Sequence, residues 1–136
     1  MKKILEDFKK RGVRVIFWPL KTCSGALYLY RDHWFCFVNS LEPITRQRFT
    51  LAHELYHFDF HRELSDLFTD FGGKDYFERE ANKGAAEYLM PASLIFAAYE
   101  ALHNSGFYSV EVMSAYFGVS KQAMSIRLKE LGLERR

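Results

Sequence analysis

The sequence predicts an α+β fold, in which a small antiparallel three-stranded sheet packs on a helical core and a helix-turn-helix-like pair closes the C-terminal end. Three observations carry that prediction. Up to Asn39 the apolar residues come in short runs rich in β-branched and aromatic side chains, from Pro43 onward they recur at helical spacing, and no strand pattern returns afterwards. With 136 residues and 49% hydrophobic content, residues 1–136 suit a single domain with a core of its own. The 8 Gly and 3 Pro exclude collagen-like and low-complexity classes.

Ile4, Leu5 and Phe8 fall at helical spacing between lysines, so a short amphipathic helix over Lys2–Lys10 should end near Gly12. Val13–Trp18 is β-branched and aromatic and stops at Pro19, a strand signal. Gly25–Tyr30 and residues 33–38 read as two more strands, joined by a tight turn at Arg31-Asp32 and closed by Asn39-Ser40. Ile44, Phe49, Leu51, Ala52, Leu55, Tyr56 and Phe58 then suit a helix of about 15 to 18 residues, with Pro43 in its first turn. Residues 61–74 are mixed in character and read as a loop with a short helical turn. Asp75 and Glu78 have the spacing of a capping box, so a helix should run from there to Met90, where Pro91 interrupts it. A further apolar helix covers about residues 92–102 and breaks at Asn104-Ser105-Gly106. Residues 109–117 and 120–131 read as two short helices separated by Gly118-Val119.

The net charge of +2 hides an uneven distribution. Residues 1–14 carry six bases and two acids, a sum of +4, whereas residues 50–100 carry four bases and ten acids, a sum of −6. An acidic middle between basic ends is not the footprint of a simple polyanion binder. No apolar run reaches the roughly 18 to 20 residues that cross a bilayer, and Glu6 and Asp7 interrupt any signal-peptide core. A cytoplasmic protein with no membrane attachment is expected. Cys23 and Cys36 are too few for a disulfide framework.

His53-Glu54-Leu55-Tyr56-His57 has the pattern H-E-x-x-H inside a predicted helix. Residues four apart on a helix differ by about 40° in azimuth and 6 Å in rise, so both imidazoles can reach one metal ion. Glu54, offset by about 100°, is placed to hold a water at that ion and act as general base. One turn of helix thus supplies two ligands and a base for zinc-dependent hydrolysis. Two surface histidines beside an unrelated glutamate would spell the same five residues. Their position in a helix predicted on other grounds favours the metal site.

A catalytic zinc takes a third protein ligand and keeps a fourth position open. His61 continues the series 53, 57, 61, but eight residues of helix rise about 12 Å. One ion with bonds near about 2.1 Å cannot bridge His53 and His61 unless the helix breaks after His57. His61 is therefore read as a surface histidine or as one that supports the site from behind. Azimuth separates the two glutamates further on. Glu78 lies within about 60° of Ala81, Ala85 and Leu89, the apolar stripe of its helix, whereas Glu80 falls with Lys83, Gly84 and Glu87 on the polar face. A carboxylate on a buried stripe is costly unless paired or bound to a metal, which favours Glu78 as third ligand over a mere cap. Glu80 needs no role beyond a solvated face. Asn82 reads equally as a group that orients the Glu78 carboxylate or a substrate, and as a buried polar residue serving the next loop.

Arg48-Phe49-Thr50-Leu51-Ala52-His53-Glu54-Leu55-Tyr56-His57, followed by Glu78-Arg79-Glu80-Ala81-Asn82 and Ala85-Ala86-Glu87-Tyr88-Leu89-Met90-Pro91, resembles the ImmA/IrrE family of metallopeptidases. That family's pattern is close to F-T-x-A-H-E-x-x-H and E-x-x-A-N-x-x-A-x-x-L-M-P. The stretch from Phe117 to Met124, with Arg127-Leu128 and Leu131-Gly132, is similar to its helix-turn-helix-like end, so the likeness covers about residues 35–133. The resemblance implies a zincin-like helical core, with one zinc ion per chain held by His53, His57 and Glu78 and with Glu54 as base. It also implies a protein substrate, a helix-turn-helix repressor of mobile elements or stress responses. Tyr56 departs from the pattern, since many members have glycine there, and a side chain at that position would narrow the cleft.

Ser120 is a good N-cap, and Lys121, Gln122, Ser125, Arg127 and Lys129 line one face of a recognition-like helix. Yet residues 105–136 carry five bases and three acids, a sum of only +2, which argues against direct DNA binding. Ala123, Met124, Leu128 and Leu131 should close the core instead. The leading function is a zinc endopeptidase of restricted specificity, whose acidic cleft favours basic substrate segments. One rival is a non-catalytic regulatory module that binds a transcription factor or DNA, with zinc as a structural tie. Another is a zinc-dependent hydrolase of small molecules.

Overall fold

The computed structural model describes residues 1–64 and 73–134, and the described residues form six α-helices and three strands. Their order is α1 (Lys2–Lys10), β1 (Val13–Trp18), β2 (Gly25–Tyr30), β3 (His33–Asn39), α2 (Ile44–Phe60), α3 (Gly73–Leu89), α4 (Ala92–Ser105), α5 (Val110–Phe117) and α6 (Lys121–Glu130). This is the α+β class that the change of period at Pro43 predicts. Of the loop expected over 61–74, a 3-10 turn at Arg62–Leu64 is seen, and residues 65–72 lie outside the described residues. α3 is already helical before Asp75. Asp75 therefore sits in the first turn rather than at an N-cap, and the expected capping box with Glu78 does not form.

The chain divides into two compact units, Met1–Ala85 and Ala86–Arg136. In the first, the strand order is β1-β3-β2, with β2 and β3 antiparallel and β1 and β3 parallel. The three strands are those expected, but the sheet is mixed and not wholly antiparallel. Residue periodicity carries no information on direction; the route of the link between β1 and β2 decides it. That link, residues 19–24, crosses to the far edge of the sheet and is held by the buried Asn39 at the end of β3. Asn39 Oδ1 accepts from the backbone N–H of Leu20 at 3.2 Å and of Leu41 at 3.0 Å, and its Nδ2 donates to the Cys23 carbonyl at 3.2 Å. The β2–β3 hairpin turns at Arg31 and Asp32, whose φ of +50° and +65° are the left-handed pair that a two-residue turn demands.

α1 packs on β1, and α2 on β2 and β3, burying Phe8, Cys36, Val38, Leu51 and Leu55 between the layers. β2 starts hard against α2: a Cβ at Gly25 would stand 2.5 Å from Thr50 Cγ2, 2.7 Å from the Phe37 carbonyl and 3.8 Å from Glu54 Cγ. The far end of α2 is tied to α1 by a two-pronged pair, in which Arg11 donates from Nε and Nη2 to the Asp59 carboxylate at 2.6 and 2.8 Å.

In the second unit, α5 and α6 make the helix-turn-helix-like pair. Ser109 and Ser120 cap their N-termini, each Oγ accepting a backbone N–H, and Gly118 supplies the left-handed turn between them at φ +68°. Met113, Met124 and Leu128 are fully buried there. The exposed row expected along α6 is corrected at one position. Arg127 is only 6% exposed, and its Nε donates to the Met90 carbonyl at 2.9 Å. A guanidinium spent on a buried carbonyl is not available to a phosphate. No helix among the described residues is long and apolar enough to cross a membrane.

Candidate metal centre

α2 turns His53 and His57 to one side, one helical turn apart, with ring centroids 4.6 Å from each other. Their Nε2 atoms face each other at 3.1 Å. Glu78 reaches them from α3, with Oε1 2.9 Å from His53 Nε2 and Oε2 3.0 Å from His57 Nε2. Ligand-type atoms of the three residues all lie within 4.8 Å of one another. Two imidazole nitrogens and a carboxylate converging on one point is the donor set of a catalytic zinc site with its fourth position open. The residues present fit that ion.

The electrostatics favour ligation. Burial, and then the neighbouring His53, push the His57 imidazole down to about 4, so at neutral pH it is uncharged. Glu54, the next residue after His53 on α2, lies against Gly25 of β2. Burial, reinforced by the charge of Glu78, lifts its carboxyl to about 8. Cys36 of β3 is buried, and burial followed by the Glu54 charge raises its thiol well above the ordinary value.

Each histidine's other nitrogen is also engaged. His53 Nδ1 lies 2.8 Å from Asn82 Oδ1, an acceptor, so it carries the hydrogen and leaves Nε2 with a free lone pair. Asn82 is exposed, and its Oδ1 meets His53. His57 Nδ1 lies 2.9 Å from His61 Nδ1. α2 stays helical past His57 to Phe60, so His61 stands behind His57 and does not join the converging trio. His61 Nε2 in turn lies 2.6 Å from Glu80 Oε1. The solvated role expected of Glu80 is therefore incomplete: Tyr76 Oη donates to its other oxygen at 3.2 Å, and the His61 bond holds its carboxyl below the usual range. The signal that could have found this pairing is the third histidine at the same four-residue step. It puts a ring beside His57 whatever its distance from His53. Tyr56 places its ring beside Phe60, His61 and Gly84, so it packs α2 on α3.

A helix carrying two histidines and a half-buried glutamate, with a second glutamate brought in from another helix, is a metallopeptidase-type centre. The family model Peptidase_M78, described as the IrrE N-terminal-like domain, matches residues 8–129, and the chain belongs to that family. It is 38% identical over 90 residues to the radiation response metalloprotease IrrE of Deinococcus deserti, a match covering 62% of this chain and 31% of that protein. Its fold is similar to that of a solved Mycobacterium tuberculosis transcriptional regulator, with a TM-score of 0.71 and 19% identity over 93% of this chain and 39% of the other. The match thus spans about a third of the length of the curated relative.

Proposed function

We propose that this chain is a zinc-dependent endopeptidase of restricted specificity, acting in the cytoplasm on a helix-turn-helix transcriptional repressor. The observation that carries this reading is the meeting of His53 Nε2, His57 Nε2 and the Glu78 carboxylate within about a hydrogen-bond length of each other, with Glu54 half-buried and next to His53 on α2. His53, His57 and Glu78 would hold one zinc ion per chain. Zinc, when bound, supplies a Lewis acid that polarises a carbonyl oxygen and brings the pKa of water down to about 7.

Glu54 is the general base. Its ionised carboxylate takes a proton from water and returns it to the leaving amine; the rise to about 8 belongs to the metal-free chain, where the charge of Glu78 is uncompensated. Asn82 holds His53 in the tautomer with a bare Nε2. The excess of acids over 50–100 favours a basic substrate segment, and the DNA-binding surface of a repressor is basic. Similarity to a protein named for a radiation response supports a regulatory substrate. One family match running through both units supports a single working domain over 1–136.

The test is cleavage of purified helix-turn-helix repressors by the zinc-loaded protein, with products read by mass spectrometry. Wild type is expected to cut at one or a few sites. Glu54→Gln is expected to bind zinc and leave the repressor intact. Equal cutting by both would overturn the mechanism. A stable complex with no cutting by either would favour the non-catalytic module.

A further inference from the structure

We propose that Glu80 is a positioning residue for the metal centre, acting through His61 to decide which nitrogen of His57 carries a hydrogen. The inference rests on the metal site proposed above. It starts from four atoms in a row: Glu80 Oε1, His61 Nε2, His61 Nδ1 and His57 Nδ1. The two contacts between residues in that row are 2.6 Å and 2.9 Å.

An ionised carboxylate accepts hydrogen bonds and donates none. His61 Nε2, facing Glu80 at 2.6 Å, therefore carries the hydrogen. A neutral imidazole carries one, so His61 Nδ1 is left as an acceptor that favours the hydrogen of His57 on Nδ1. His57 Nε2, the atom that faces His53 and Glu78, then has a bare lone pair. The opposite order puts a hydrogen on His57 Nε2, where it blocks coordination. Two carboxylates act on that choice from opposite ends: Glu78 Oε2, 3.0 Å from His57 Nε2, favours the hydrogen there while no metal is bound, and Glu80, through His61, favours it on Nδ1.

His61 is built for transmitting this choice. It is 2% exposed, with the rings of Phe77 and Tyr56 centred 4.7 and 5.4 Å from its own. A solvated histidine would exchange tautomers freely, whereas a buried one takes the tautomer its partners dictate. Glu80 itself reaches solvent, so its ionisation costs little.

The experiment uses the full chain stripped of metal. Nitrogen-15 ring spectra of labelled histidine read the His57 tautomer at neutral pH, and zinc titration against a chromophoric chelator reads affinity. Wild type should hold a measurable population of His57 with the hydrogen on Nδ1 even against Glu78. Glu80→Ala should shift His57 toward the form with the hydrogen on Nε2 and weaken zinc binding about tenfold or more, the usual scale for losing such a partner. Glu87→Ala removes an exposed carboxylate two turns further along α3 and should change neither. His61→Phe keeps an aromatic ring in the cage and should weaken zinc binding as Glu80→Ala does. If folded Glu80→Ala keeps either the wild-type tautomer or zinc affinity within about threefold of wild type, the inference is overturned while the metal site stands. A wild type that takes up no zinc overturns the metal site and this inference together.

Discussion

The Tyr56 ring on α2 fills the space that a side chain at Gly84 on α3 would need: a Cβ there would run into ring atoms Cδ2, Cε2 and Cγ. The family pattern often has glycine at the first of these positions, and here the small residue sits on the opposite helix. Gly84→Ala gains about 1 kcal/mol of helix propensity but overpacks the contact by about 1 to 3 kcal/mol. We expect a net loss of stability in denaturant unfolding. Adding Tyr56→Ala to Gly84→Ala should recover part of it, because the two changes relieve each other. Strict additivity in that double-mutant cycle would show that the contact is not the constraint.

Asn82 Oδ1 is the acceptor for His53 Nδ1 at 2.8 Å and is exposed. Asn82→Leu should therefore leave the unfolding midpoint nearly unchanged while weakening zinc binding about 10- to 100-fold. Calorimetric titration decides this. Unchanged affinity would return Asn82 to the surface.

Stability of the metal-free protein should depend on pH in two windows of opposite sign. Glu54 is lifted to about 8 from an ordinary 4.5, so the folded chain holds that proton more tightly. Its contribution is complete below about 4.5 and is lost as pH rises through 8. His57 is pushed down to about 4 from 6.5, so its contribution is present above 6.5 and is lost as pH falls through 4. Glu54→Gln should flatten the alkaline fall and leave the acid fall in place. Urea unfolding across pH 4 to 9 checks both; an alkaline limb identical to wild type would falsify the assignment to Glu54.

Arg127 donates from Nε to the Met90 carbonyl, and both residues are buried. Arg127→Ala leaves that carbonyl unsatisfied and opens a hole, at a cost of about 1 to 3 kcal/mol for the hydrogen bond alone. The variant should unfold earlier. Since the guanidinium is not on the surface, it should not change any salt-dependent retention on DNA. A selective loss of DNA binding without loss of stability would count against the packing role.

Much of the fold and the site was legible in the sequence because it is local. Helical period marks α2 and the four-residue step that brings His53 and His57 together, and a serine just ahead of a helical run marks the Ser120 cap. Azimuth on α3 puts Glu78 and Glu80 on different sides, and the structure brings Glu78 to both Nε2 atoms, but burial does not separate the two, since their side chains are 41% and 35% exposed. What the sequence could not determine were choices made between segments far apart along the chain. β1 lies parallel to β3 because the link held by Asn39 crosses the sheet, and no residue pattern within a strand encodes that route. Glu80 meets His61, Tyr56 meets Gly84, and Arg127 turns inward to Met90 for the same reason. Periodicity assigns a side chain to one face of its own helix, but what stands opposite that face depends on how the elements pack. A charged group stays in solvent or bends to a buried partner according to whether packing has brought one within about 3 Å.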